Sequence, residues 1–381
     1  MKYYIIAGEA SGDLHASNLI KGLKKYDAKA DVRAWGGDLM KKAGADVVKH
    51  YRDTAIMGFF TVLRNLKKIE NNIKECCKDI ESWQPDVIIL VDYGGFNMKI
   101  ARYAKTHNFK VFYYISPKIW AWNTGRIHNI KKYVDRMFVI FPFEKDFYAK
   151  YDYEVDYEGN PLVDAIDGFK NDYAGRSKDN FYEQYGLERG KDMLLLMPGS
   201  RQQELKNMLP KMIALEKKFG SKFNLIVAGA PSMTEDDYAK YVAGHDVKLI
   251  FDNPYRLLAN ADVAVVTSGT ATLETALMNV PQVVVYSGEG GFFYYLLFKI
   301  FAKVKYIALP NLVVDREVVK ELLMHKFTVS ALEASISALL TDANRLDIQQ
   351  GYAEIADKLG EAGASERFAK KMIEAFKEIS S

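Results

Sequence analysis

The sequence predicts an α/β protein built from two parallel-sheet domains, and three observations carry this. Short apolar runs, each closed by a turn and followed by apolar residues at helical spacing, alternate along the chain. Such alternation lays helices over a parallel sheet. The length, 381 residues, exceeds the ~100–200 residues of one domain. The region near Asp167–Lys191 is polar, lacks sustained periodicity in its first part and reads as a linker. The expected division is 1–170, 185–345 and a helical segment 346–381 that packs back on the first domain or on a partner subunit.

Bulk properties exclude several classes. Apolar residues make up 49% and charged residues 27%, an ordinary globular balance. A net charge of +3 is too mild for nucleic acid as the main partner. The only cysteines, Cys76 and Cys77, are neighbours, which rules out a disulfide framework and fits a reducing compartment. No signal-peptide core follows Met1-Lys2, and no run reaches ~18 uninterrupted apolar residues, so neither a leader nor a spanning helix is expected.

The first strand, Tyr3–Ala7, runs into Gly8-Glu-Ala-Ser-Gly-Asp13 and then a helix carrying Leu14, Leu19, Ile20 and Leu23. The turn spacing is not that of a dinucleotide fingerprint, and the second strand, Val32–Ala34, lacks a terminal acid for a ribose. A nicotinamide enzyme is not expected. Glu9, Ser11, Gly12 and Asp13 lie where open α/β sheets bind ligands; Ser11 or Asp13 could also cap the helix. The run at 56–63 is apolar nearly all round, with Arg64, Lys67 and Lys68 after it. Met57, Phe59, Phe60, Val62 and Leu63 there suit an anionic membrane surface or an acyl chain, or equally a buried helix end.

Val87–Val91 reads as a buried strand ended by Asp92-Tyr-Gly-Gly-Phe-Asn97. An acid at such a tip is placed to act as a general base, with helix capping as the plainer alternative. The strand Val111–Ile115 leads into Ser116-Pro-Lys-Ile-Trp-Ala-Trp122. Ser116, Trp120 and Trp122, with the cations after them, suggest a surface for a sugar or acyl body bearing phosphate. His128 stands alone and takes no role.

The second half repeats the alternation: Leu194–Met197, Phe223–Ala228, Val247–Ile250, Val263–Val266 and Gln282–Val285. Two of its turns matter. Gly199, Ser200 and Arg201 follow the first of these strands and open a helix, which makes a phosphate seat or else a solvated connection. Ser268, Gly269 and Thr270 open another helix, with Glu274 one turn in, where it could reach a ribose diol. Two such turns with a carboxylate behind one favour a nucleotide. The segment 292–301 is the most apolar of the chain and needs a cover: a second subunit, a bilayer surface or the sheet itself.

Six motifs occur in order: AGEASGD at 7–13, ISPKIWAW at 115–122, FPFE at 141–144, PGSR at 198–201, SGTATLE at 268–274 and LPN at 309–311. Together they resemble the lipid A disaccharide synthase family of inverting glycosyltransferases, from Tyr3 to about Leu323. The resemblance implies a glycosyltransferase B-type fold, two Rossmann-like domains facing across a cleft. It also implies transfer of 2,3-diacylglucosamine from UDP to 2,3-diacylglucosamine 1-phosphate, giving UDP and a β(1→6) disaccharide 1-phosphate. By the same resemblance Asp92 is the candidate base, Arg201 holds the donor diphosphate, Ser268, Gly269, Thr270 and Glu274 hold UDP, and Asn311 lies nearby. No cofactor or metal is expected. The implied setting is the cytoplasmic face of the inner membrane, peripherally bound, with a homodimer formed through the C-terminal domain.

Two positions depart from the family pattern: Gly95 stands where a second acid is common, and Asn160 where a His commonly precedes the proline. Other readings are a UDP-sugar epimerase or another transferase of this plan, and a non-catalytic UDP-sugar-binding protein.

Overall fold

A computed structural model describes residues 1–54, 66–122, 124–287 and 305–380. The chain divides into two compact units, Met1–Asp164 with Gly360–Ser381, and Ala165–Leu359.

The first unit holds β1 (Lys2–Ala7), β2 (Asp31–Gly36), β3 (Asp46–His50), β4 (Val87–Val91), β5 (Lys110–Tyr114), β6 (Arg136–Val139) and β7 (Asp156–Tyr157). They form one parallel sheet in the order β3-β2-β1-β4-β5-β6-β7. All five residues of β4 are buried, as an uninterrupted apolar run requires when helices cover both faces of a sheet. The second unit holds β8 (Asp192–Met197), β9 (Phe223–Ala228), β10 (Lys248–Ile250), β11 (Val263–Thr267), β12 (Gln282–Tyr286) and β13 (Lys320–Leu323), parallel in the order β10-β9-β8-β11-β12-β13. Each unit is therefore Rossmann-like, with a switch in strand order between β1 and β4 and between β8 and β11.

The sequence did not anticipate β3, β7 and β13. All three are edge strands that bury little, so their residues lack the apolar run that marks a central strand.

The stretch expected as a linker is helical, over Pro161–Tyr173 and Lys178–Tyr185. Phe181, Tyr182 and Leu187 sink into the core of the second unit. The C-terminal segment is also divided: Asp342–Leu359 belongs to the second unit and Ala364–Ser380 to the first. Asp164 stands where the chain leaves the first unit. Its carboxylate accepts the N–H groups of Gly363, Ala364 and Ser365 at 2.7, 3.0 and 2.7 Å, capping the returning helix. That helix packs closely on Ala10–Tyr26, where a Cβ on Gly22 would come within 2.8 Å of the Ala369 Cβ.

Candidate functional site

In open α/β sheets, ligands sit beyond the carboxyl ends of the strands where the strand order switches. Register pairs Ala7 with Val91 and Met197 with Val266. The turns after β1 and β4 thus leave the first sheet side by side, as do the turns after β8 and β11 in the second. These four turns carry most of the expected site residues.

In the first unit Asp92 and Tyr93 both take left-handed backbone conformations, with φ of 46° and 49°. Non-glycine residues adopt this region at a cost, and such strain gathers at functional turns. The turn is held firmly. The Asp92 N–H donates to the Tyr114 carbonyl at 3.0 Å, and the Asp92 carbonyl accepts from the Tyr113 hydroxyl at 2.5 Å and the Asn97 amide at 2.9 Å. Gly8 makes room for this arrangement, because a Cβ there would lie 2.4 Å from the Tyr93 ring. Burial pushes the Asp92 carboxyl above its ordinary range, opposed by the nearby Lys118 charge and the Tyr93 N–H. Just past the end of β5, Ile115 is left-handed too, at φ 65°.

Several residues expected at this site do other work. Asp13 is buried, and its carboxylate accepts from Gly37, Leu39 and Met40 N–H at 2.8, 3.0 and 3.1 Å, capping the helix Asp38–Lys42. A fully used carboxylate does not also bind a substrate. Gly12 packs against β1, with Ala7 Cβ 3.3 Å from where its own Cβ would be. Ser11 is exposed and Glu9 half-buried, with the Glu9 charge facing Tyr93. Ser116 is buried and shares a hydrogen bond with the Tyr148 hydroxyl at 2.5 Å. Trp120 is buried too, and its indole N–H donates to Glu144 Oε1 at 3.1 Å. Neither presents a surface to an acceptor; both anchor the turn after β5. The Trp122 side chain, the residues Met57, Phe59, Phe60, Val62 and Leu63, and the segment 292–301 lie outside the described residues.

Glu144 went unassigned in the sequence. It is wholly buried, accepts from the Ile140 and Phe141 N–H groups at 3.2 and 3.0 Å, and is pushed up to about 7 by burial, with those bonds and Trp120 opposing. Proline followed by Glu two residues later at a helix start was the available signal for a cap. Its burial depends on Trp120, which no local pattern reveals.

In the second unit Gly199 turns the chain at φ 105°. Ser200 N–H donates to Glu204 Oε2 at 2.8 Å, and the exposed Arg201 pairs with Glu204 Oε1 at 2.8 Å. Ser268, Gly269 and Thr270 are half-buried at the start of the helix Thr270–Leu277, and no side chain caps it. Glu274 is half-buried, accepts the Tyr255 hydroxyl at 3.0 Å, and burial raises its pKa.

Asn311 departs from its expected role. It is buried, and its amide is saturated: Nδ2 donates to the Val319 carbonyl and Glu321 Oε1, and Oδ1 accepts from Val318 and Val319 N–H. The side-chain amide has no donor or acceptor left for a nucleotide. Among the described residues no group of three or more His, Cys, Asp or Glu side chains could hold a metal ion, and no helix is long and apolar enough to cross a membrane.

Comparison with known proteins places this geometry. Residues 3–375 match the family model described as lipid-A-disaccharide synthetase. The lipid-A-disaccharide synthase of Geobacter sulfurreducens is 35% identical over 376 residues, covering 97% of this chain and 96% of that protein. That of Syntrophus aciditrophicus is 36% identical over 372 residues, covering 96% and 95%. Among solved structures, a UDP-GlcNAc 2-epimerase from Methanocaldococcus jannaschii, in complex with UDP-GlcNAc and UDP, superposes with a TM-score of 0.68 at 14% identity, covering 98% of this chain and 99% of that one. A glycosyltransferase from Rickettsia africae gives 0.61 at 14%, covering 100% and 98%. These likenesses show the glycosyltransferase B-type fold. With the family match they make the chain a glycosyltransferase of lipid A biosynthesis, and it belongs to the lipid-A-disaccharide synthetase family.

Proposed function

We propose that the chain transfers 2,3-diacylglucosamine from its UDP donor to 2,3-diacylglucosamine 1-phosphate, with inversion, forming the β(1→6) disaccharide 1-phosphate and UDP. One observation carries this reading: a half-buried carboxyl, Asp92, on a left-handed turn whose backbone is held by three hydrogen bonds at a strand-order switch. A sugar hydroxyl is a poor nucleophile until it loses its proton. Asp92 accepts that proton as the hydroxyl oxygen bonds to the anomeric carbon and the bond to UDP breaks. One displacement inverts the centre and needs no covalent intermediate.

The second unit supplies the leaving-group side. Arg201 and the helix starts after β8 and β11 take up the charge that develops on the departing UDP. The UDP and UDP-GlcNAc held by the Methanocaldococcus relative support a UDP-sugar as the ligand of this plan. The apolar residues Met57, Phe59, Phe60, Val62 and Leu63, followed by cations, support peripheral binding to the inner face of the inner membrane. Phe59→Ser with Phe60→Ser should cut binding to anionic liposomes, and unchanged binding rejects that part.

The deciding experiment is a UDP-release assay with acylated and non-acylated donors in the presence of acceptor. Acylated donor should be consumed, with release dependent on acceptor. Release without acceptor, or consumption of the non-acylated donor alone, overturns the proposal.

A further inference from the structure

A shallow concavity of about 180 Å³ lies beside the Asp92 turn, lined by Gly94, Gly95, Met98, Pro117, Arg126 and Asn129 among others. Among the described residues no carboxylate lines it. Arg126 is exposed and has no ion-pair partner among the described residues, unlike Arg33, Arg136 and Arg256, which are all paired. A guanidinium against an apolar wall of Met98 and Pro117 and with no internal anion is poised for an external one. Gly94 and Gly95 open the helix Gly94–Thr106, and among the described residues neither N–H donates to an acceptor. Among the described residues, an added Cβ on Gly95 would meet nothing within 4 Å. Asn129 adds an amide.

The cavity therefore combines a forked cation, an amide side chain and unmatched backbone donors, a set that suits an oxyanion needing several bonds at once. Its lining begins two residues after Asp92. Resting on the transferase reading above, we propose that this cavity seats the phosphate monoester of the acceptor sugar and so holds the acceptor hydroxyl at Asp92. This gives the acceptor an anionic anchor in the first unit, separate from the diphosphate seat of the second.

The test uses the whole chain and Arg126→Gln, an exposed position whose change should leave folding intact. Glucosamine 1-phosphate is the probe, titrated by 31P NMR. The wild type should bind it saturably, and the variant about 10- to 100-fold more weakly, the usual cost of losing a hydrogen bond to a charged group. No saturable binding by the wild type, or equal binding by the variant, overturns the proposal. In the transfer assay, the preference for acceptor with phosphate over acceptor without it should shrink by a similar factor in Arg126→Gln; a preference that survives overturns it as well. A wild type that binds the probe yet transfers no sugar would instead overturn the transferase reading and leave the anion site standing.

Discussion

Glu204 lies against both donors expected to hold the donor diphosphate: its carboxylate pairs with the Arg201 guanidinium at 2.8 Å and accepts the Ser200 N–H at 2.8 Å. Gly199 permits this, since a Cβ on it would sit 2.2 Å from Glu204 Oε2. The turn after β8 thus places an internal anion where the proposed function puts the donor diphosphate. The pair is half open to solvent, so its grip is modest and an incoming diphosphate can displace it.

Glu204→Gln keeps the shape and removes the competing charge. UDP should bind about two- to five-fold tighter, the scale of an exposed ion pair, with the gain shrinking as salt is added. Calorimetry decides, and weaker binding would mean that Glu204 supports the seat. Arg201→Ala should act the other way, weakening UDP by about 10- to 100-fold.

Asp92→Asn should lower turnover by about 100- to 10,000-fold while UDP affinity barely moves. The base works only when deprotonated, and burial raises its pKa. The acid limb of the pH–rate profile should therefore lie above the ~3.9 of a free aspartate. Lys118→Gln removes an opposing charge and should push that limb higher still. Steady-state rates across pH read both effects, and a limb that does not move removes Lys118 from the base's surroundings.

Asn311→Ala separates structural support from nucleotide contact. Four hydrogen bonds of the buried amide are lost, and their backbone partners lose their mates. Stability should fall by about 2–4 kcal/mol, with UDP affinity unchanged. Thermal unfolding with and without UDP measures both. A stable variant with weak UDP binding would return Asn311 to the nucleotide site.

The central strands and the four switch-point turns were legible because each is a local pattern, an apolar run with a turn and a helix start. Asp92 stood out as an acid ending such a run. The roles of Asp13, Ser116, Trp120 and Asn311 were not legible, because their partners are contributed by other segments. Asp13 is consumed by N–H groups 24 to 27 residues away, and Trp120 by a carboxylate 24 residues on. A polar residue in a conspicuous motif looks the same whether it faces a ligand or closes an internal bond. Burial alone separates the two, and burial is set by tertiary packing.

Glu144 yields a stability prediction with a definite sign. Its carboxyl is raised from 4.5 to about 7 in the folded chain, so the folded state binds the proton more tightly than the unfolded state. Between these values the folded state carries more protons, and stability falls as pH rises from about 4.5 to about 7, then levels off. The full effect is about 3 kcal/mol at most. Glu144→Gln cannot titrate, so its unfolding free energy should lack this downward slope, even though the variant is less stable overall because its one carbonyl oxygen can keep the Ile140 and Phe141 N–H bonds but its NH2 leaves the Trp120 indole N–H without an acceptor. Denaturant unfolding at pH 5, 6, 7 and 8 compares the slopes. Parallel curves for the two proteins would show that Glu144 stays ionised throughout, held by its N–H donors and the Trp120 indole against the cost of burial.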